Sequence, residues 1–281
     1  MKQFFKTLSI TLALLASLIM AKAQGALVPQ PSSGQTIVQD FGLGKVMLTY
    51  SRPNLKGRKI FGILEPYGQV WRTGANSATT INFTDEVTVA GNKIPAGKYA
   101  LFTIPGKDAW TIILNKTADQ WGAYDYKKED DLVRFSIKPT ILKTPVETFT
   151  MQFTNVKAGS MLLNLHWENT AIDIPMTVDY DAKVMVNIEK AMSGDKKPYF
   201  AAAQYYFENN KDLAKALEWV NEAEKTDLKA PWFKLWKAKI LLKMGDKKAA
   251  ATVAQQGIKL AKESGNDEYV RLNTAILAQT T

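Results

Sequence analysis

Two successive patterns of apolar spacing predict an α+β chain of two domains. The first is an antiparallel β-sandwich-like N-terminal domain, the second a set of helical hairpins. From Thr36 to Val178 apolar residues recur at every second position, the period of a strand with one face in a core. After Asp181 the spacing becomes helical, and the sequence resembles itself at a shift of 34 residues. The chain has no cysteine in 281 residues, so its core must hold by packing without disulfides, which a chain of this length can do.

Taken in order, the first segment has the three-part layout of a secretory signal peptide. Lys2 and Lys6 form a basic start, Leu8 to Met20 is apolar, and Ala21-Lys22-Ala23 offers small residues at both positions of a cleavage site. The apolar stretch is short for a membrane span. Residues 1–23 are therefore expected to be removed on export to the periplasm or beyond, leaving no stable transmembrane segment. Without cysteine the mature chain cannot be a Cys-linked lipoprotein.

Residues 24–180 form the expected β domain. Phe149, Met151 and Phe153 alternate with Thr150, Gln152 and Thr154; Leu163, Leu165 and Trp167 with Asn164, His166 and Glu168; and Ile172, Ile174 and Met176 with Ala171, Asp173 and Pro175. Gly42-Leu43-Gly44, Gly91-Asn92, Pro95-Ala96-Gly97, Pro105-Gly106 and Ala158-Gly159 supply turns between strands. Close strands with short turns favour an antiparallel sandwich over a parallel sheet with crossover helices.

Residues 181–281 form the helical domain. Val184, Ile188 and Met192 open a helix that Ser193-Gly194-Asp195 ends. The 34-residue shift then aligns Asp212 with Asp246, Ala216 with Ala250, Ala223 with Gly257, Tyr206 with Ile240 and Phe207 with Leu241. This period resembles the tetratricopeptide family of paired helices, although only Pro231 keeps the proline that follows its second helix. Each unit needs a neighbour to cover its apolar face. Asn266 to Ala278 is read as a closing helix and Asp181 to Met192 as a cover for the other end.

The formal charge of +9 is spread thinly. Lys2, Lys6 and Lys22 carry three of those charges, leaving +2 on residues 24–180 and +4 on 181–281. Neither part has the basic face of a phosphate-backbone binder, which argues against nucleic acid. One histidine and no cysteine rule out zinc sites of the usual kind, and no G-x-G-x-x-G follows a strand, so no cofactor is implied. His166 lies on the polar face of its strand beside Asn164 and Glu168, and Ser77 in G-A-N-S-A is not a nucleophile elbow.

The densest run of unusual residues lies between Tyr50 and Gly122. It contains Y-S-R-P-N-L-K-G-R, V-W-R-T-G-A-N, A-G-K-Y-A-L-F-T-I-P-G and D-Q-W-G-A-Y. On these motifs the chain, over roughly Pro29 to Val178, resembles a family of exported Gram-negative proteins known only as a domain of unknown function. The resemblance implies export and a fold, and assigns no activity.

Within this run Arg52, Lys56, Arg58, Lys59 and Arg72 share a stretch with a single acid, Glu65. Brought together they would make an anion site, since the guanidinium fork grips carboxylate, sulfate or phosphate bidentately. Alternatively they are structural ion pairs and a solvated turn. Trp71 and Arg72 point to opposite faces of an extended segment, one into a core and one outward. Gly74 permits a tight turn that could bring Asn76 beside Arg72. A long loop between Asn115 and Leu132 carries Trp121, Tyr124 and Tyr126. Its aromatics are suited to stack on a sugar or a partner, unless Trp121 plugs the loop onto the sandwich.

The candidate ligand-binding residues are thus Arg52, Arg58, Arg72, Asn76, Trp121 and Tyr124. The expected role is non-catalytic recognition of an anionic or glycan ligand, with the helical repeats contacting an envelope protein. Two other readings stand: a hydrolase using a carboxylate pair among Glu65, Asp85, Glu86, Asp119 and Asp125, and a structural adaptor without a ligand.

Overall fold

A computed structural model describes residues 28–281, and the signal-like segment 1–23 lies outside the described residues. The chain divides into two compact units, one ending at Asp179 and the other running from Tyr180 to Thr281.

The first unit carries ten strands. They are β1 (Ser33–Phe41), β2 (Gly44–Arg52), β3 (Thr79–Phe83), β4 (Val87–Val89), β5 (Asn92–Ile94), β6 (Gly97–Ile104), β7 (Trp110–Asn115), β8 (Asp131–Ile137), β9 (Thr140–Thr154) and β10 (Ser160–Thr177). One sheet has the order β1-β2-β3-β6-β7-β8 and the other β5-β4-β10-β9, with antiparallel pairing throughout. The inner faces share one core, with Leu48, Ile81, Leu101 and Ile112 from the larger sheet against Met151, Leu165, Trp167 and Ile174 from the smaller. The turn expected at Gly42-Leu43-Gly44 closes its hairpin, and the one expected at Gly91-Asn92 falls one residue earlier, at Ala90-Gly91, because Asn92 already pairs in β5. Phe41 pairs with Gly44 around Gly42-Leu43, and Val89 pairs with Asn92 around Ala90 and Gly91. Ala90 and Gly91 both have positive φ (46° and 83°), the primed geometry that matches strand twist.

Sequence spacing suggested separate strands at Leu163–Trp167 and Ile172–Met176; the structure joins them in β10. The buried set is odd-numbered at 163, 165 and 167 and even-numbered at 172, 174 and 176. A strand can change parity and keep one face inward only by taking up an extra residue. The register with β9 shifts on both sides of Glu168, whose φ is 52°. The bulge also aims the Glu168 carboxylate at the Ile60 and Phe61 amides, accepting from each at 3.2 Å.

Between β2 and β3 the chain makes a long excursion, residues 53–78, that holds the V-W-R-T-G-A-N motif and most of Y-S-R-P-N-L-K-G-R. Its first part is tied to β9: Leu55 N donates to the Glu147 carbonyl (2.8 Å), and Lys56 N to the Glu147 carboxylate (3.0 Å). Phe61 then enters the core edge-on to Trp110, Trp71 and Trp167, at centroid distances of 4.8, 5.9 and 6.1 Å. Trp71 exchanges two backbone hydrogen bonds with Thr103 and stacks on Trp167 at 5.7 Å. An aromatic cluster of this size holds the excursion as firmly as a strand would.

The second unit consists of α1 (Asp181–Met192), α2 (Tyr199–Glu208), α3 (Leu213–Glu224), α4 (Pro231–Lys243), α5 (Lys247–Glu263) and α6 (Asp267–Leu277). The 34-residue spacing has a local cause. Asp212 and Asp246 are the N-caps of α3 and α5, accepting from Ala214 and Lys215 amides and from the Ala249 amide, respectively. Ala216, Ala223, Ala250 and Gly257 are buried where helices meet. α6 packs on α4 and α5, and Met185, Ile188 and Met192 of α1 cover Tyr206 and Trp219. Glu224, 8% exposed, is ion-paired with Lys234 and Lys237.

Candidate functional site

The alternation at Trp71-Arg72 builds the site. Trp71 is buried in the aromatic cluster, with its indole N–H on the Gly74 carbonyl (3.1 Å), so Arg72 leaves on the other side. There it lines a cleft of about 290 Å³ together with Asn54, Lys56, Arg58 and Glu65, above Trp167. Thr73 and Asn76 have φ of 56° and 60°, and Gly74 φ of 149°. This corner is fixed by Thr79 Oγ1 donating to the Thr73 carbonyl (2.6 Å) and Thr79 N to that of Arg72 (3.1 Å).

The Arg72 side chain makes no hydrogen bond or ion pair with any described residue, and its Nε is sealed from solvent without a partner. A buried unpaired donor on a cation is costly, and Arg72 meets the outside through the cleft that it lines. Glu65 faces the same space. Burial pushes its carboxyl up to about 7, against a pull downward from the Arg72 charge.

Of the six candidate ligand-binding residues, Arg58 and Arg72 line this cleft and the other four do not. Arg58 stands exposed at the rim, with Nε and Nη2 donating to the Leu55 and Asn54 carbonyls (2.9 and 2.6 Å). Arg52 is turned onto β9, where it bonds the Phe149 carbonyl (3.2 Å) and Thr150 Oγ1 (2.9 Å). Asn76 sits beyond the corner, its amide 3.4 Å from both the Ser32 carbonyl and Ser51 Oγ. Trp121 and Tyr124 are 64% and 81% exposed and do not line the cleft. The alternative in which Trp121 plugs the loop onto the sandwich is thereby corrected. Ala123 and Tyr126 do this instead, packing on Phe102 and Ile113. Sequence reasoning gave Glu65 no place beside Arg72 and missed Asn54 and Trp167. Only the isolation of Glu65 among cations hinted at it.

The class is now defined: an antiparallel two-sheet domain with an arginine cleft in its β2–β3 excursion, followed by paired helices. Residues 32–176 match the family described as a protein of unknown function (DUF2911), and the chain belongs to it. The match spans the entire excursion and stops before α1. No curated protein and no solved structure matches the chain.

Proposed function

We propose that this chain is an exported, non-catalytic binding protein whose β domain holds an anionic group in the Arg72 cleft. Its helical hairpins would present a separate surface to a protein of the cell envelope. The observation that carries the reading is the Arg72 side chain, which lines the cleft and makes no hydrogen bond or ion pair with any described residue. Lys56 and Arg58 add positive charge at the rim, and Glu65 is the only acid lining the cleft. A hydrolase working through two carboxylates would need a second one there. The volume sits at the lower edge of the roughly 300–1,000 Å³ usual for ligand sites, which suits one carboxylate, sulfate or phosphate group rather than a large molecule.

The test is calorimetry and thermal unfolding of the mature chain with sulfate, phosphate, citrate and galacturonate, in wild type and Arg72→Gln. Loss of a charge-assisted hydrogen-bond pair should weaken binding by roughly 10- to 100-fold. Equal stabilisation of both proteins by these anions would defeat the proposal. Export is checked by fractionation, with an N-terminus at Gln24 in the extracytoplasmic fraction.

A further inference from the structure

The outer face of the six-stranded sheet is covered over only part of its width. Residues 116–130 fold back across β6 and β7, where Ala123 and Tyr126 close a second small core on Ala100, Phe102 and Ile113. Over β2 and β3 the same face stays open. The step between the two is a groove of about 630 Å³ whose floor is Met47, Thr49, Thr80 and Asn82 and whose wall includes Asp119 and Gln120.

Register dictates this floor. Met47 opposes Asn82, which opposes Lys98, and Thr49 opposes Thr80. Their sequence neighbours Leu48, Ile81 and Tyr99 point into the core. The groove floor therefore carries three short hydrogen-bonding side chains, Thr49, Thr80 and Asn82, beside Met47, and the groove has no net charge, because Lys98 is paired with Asp119 at 2.5 Å. The Thr80 hydroxyl and the Asn82 amide make no hydrogen bond to any described residue, although Thr49 Oγ1 lies 3.0 Å from that of Thr36. In the wall, Gln120 is 8% exposed, and its Oε1 is buried without a donor.

Two aromatic side chains, Trp121 and Tyr124, stand exposed on the loop that forms the wall, outside the groove's own lining. Trp121 follows Gln120 and is bridged through its backbone to Ser77 at the groove edge. The Tyr124 ring lies against Gly122, so close that a Cβ there would come within 2.8 Å of it. Exposed Trp and Tyr side chains offer rigid contact area to a ligand at little entropic cost. Neutral donors and acceptors, flanked by an aromatic side chain, are complementary to a sugar: hydroxyls that both donate and accept, and a ring face of C–H groups.

We propose that this groove is a second binding site, for a neutral oligosaccharide, with Thr80, Asn82 and the Lys98–Asp119 pair bonding its hydroxyls and Trp121 covering a sugar ring. It uses none of the residues of the Arg72 cleft and stands whether or not that cleft takes an anion.

The test is an amide- and indole-resolved NMR titration of the mature chain with maltotetraose and with chitotetraose, each to about 10 mM, where millimolar affinity saturates. Saturable shifts are expected at Thr49, Thr80, Asn82 and the Trp121 indole for at least one of the two. A Thr80→Val/Asn82→Val variant places β-branched residues at both positions of an outer strand face, which suits strand geometry, and should fold normally. It is expected to bind roughly tenfold or more weakly. Trp121→Ala, at an exposed position, should also lose affinity and keep its thermal midpoint. Absence of shifts at the groove with both sugars overturns the proposal, as does wild-type affinity in the double variant.

Discussion

Replacing Glu65 by Gln tests the electrostatics of the cleft most directly. In the folded chain the carboxyl stands at about 7, against 4.5 for an ordinary glutamate, because burial disfavours its charged form more than Arg72 favours it. The folded state thus holds more protons than the unfolded state between about 4.5 and about 7, so stability falls as pH rises through that interval. At 1.36 kcal/mol per unit the shift is worth at most about 3.4 kcal/mol. Because Glu65 is only half-buried, solvent screening leaves roughly 2 kcal/mol as the realistic share. Gln is an uncharged isostere and does not meet this cost. Glu65→Gln should therefore match wild type near pH 4 and exceed it by about 2 kcal/mol at pH 8, a rise of roughly 4–8 °C in thermal midpoint for a domain of this size. Near-ultraviolet circular dichroism of the Trp71, Trp110 and Trp167 cluster follows the unfolding, and carboxyl ¹³C NMR gives the titration directly. A Glu65 midpoint near 4.5, or a variant equally stabilised at both pH values, refutes the reasoning.

The same geometry fixes the other expectations. Arg72→Gln removes the charge that pulls Glu65 downward, so the Glu65 midpoint should move higher still in the same NMR titration. Anion affinity in wild type should weaken above about pH 7, where the ionised carboxylate repels the ligand, and calorimetry should show proton uptake on binding near that pH. Gly74→Ala would place a Cβ 2.8 Å from the Ser51 carbonyl at φ 149°, and should cost about 1–3 kcal/mol in thermal unfolding. Gly257→Ala gains about 1 kcal/mol of helix propensity but sets a Cβ 2.2 Å from Oδ1 of Asn273, a fully buried side chain held by the Tyr269 carbonyl. Overpacking should win, giving a net loss of about 1 kcal/mol in helical melting.

Much of the fold was legible because its causes are local. The turns at Gly42 and Gly91 needed only a residue that tolerates positive φ, and the Asp212 and Asp246 caps needed only an acceptor before a helix, whereas the placing of Ala90 at φ 46° came from pairing across the hairpin. Even the bulge in β10 left a trace, the switch of the apolar set from odd to even numbers, though reading that trace as one strand required a partner to pair with. The outward path of Arg72 was likewise readable from its place after Trp71.

Residue order alone fixed the periods, the turns, the paired helices and a cluster of cations around one acid. Which cation stays available was decided in three dimensions. Arg52 found its acceptors 97 residues away on β9, and Arg58 spent two donors on its own turn. Arg72 was left facing Glu65 across an open cleft. Periodicity and capping depend on neighbours a few positions apart, whereas the worth of a charge depends on whatever lies within a few ångströms, and only the folded chain brings those groups there.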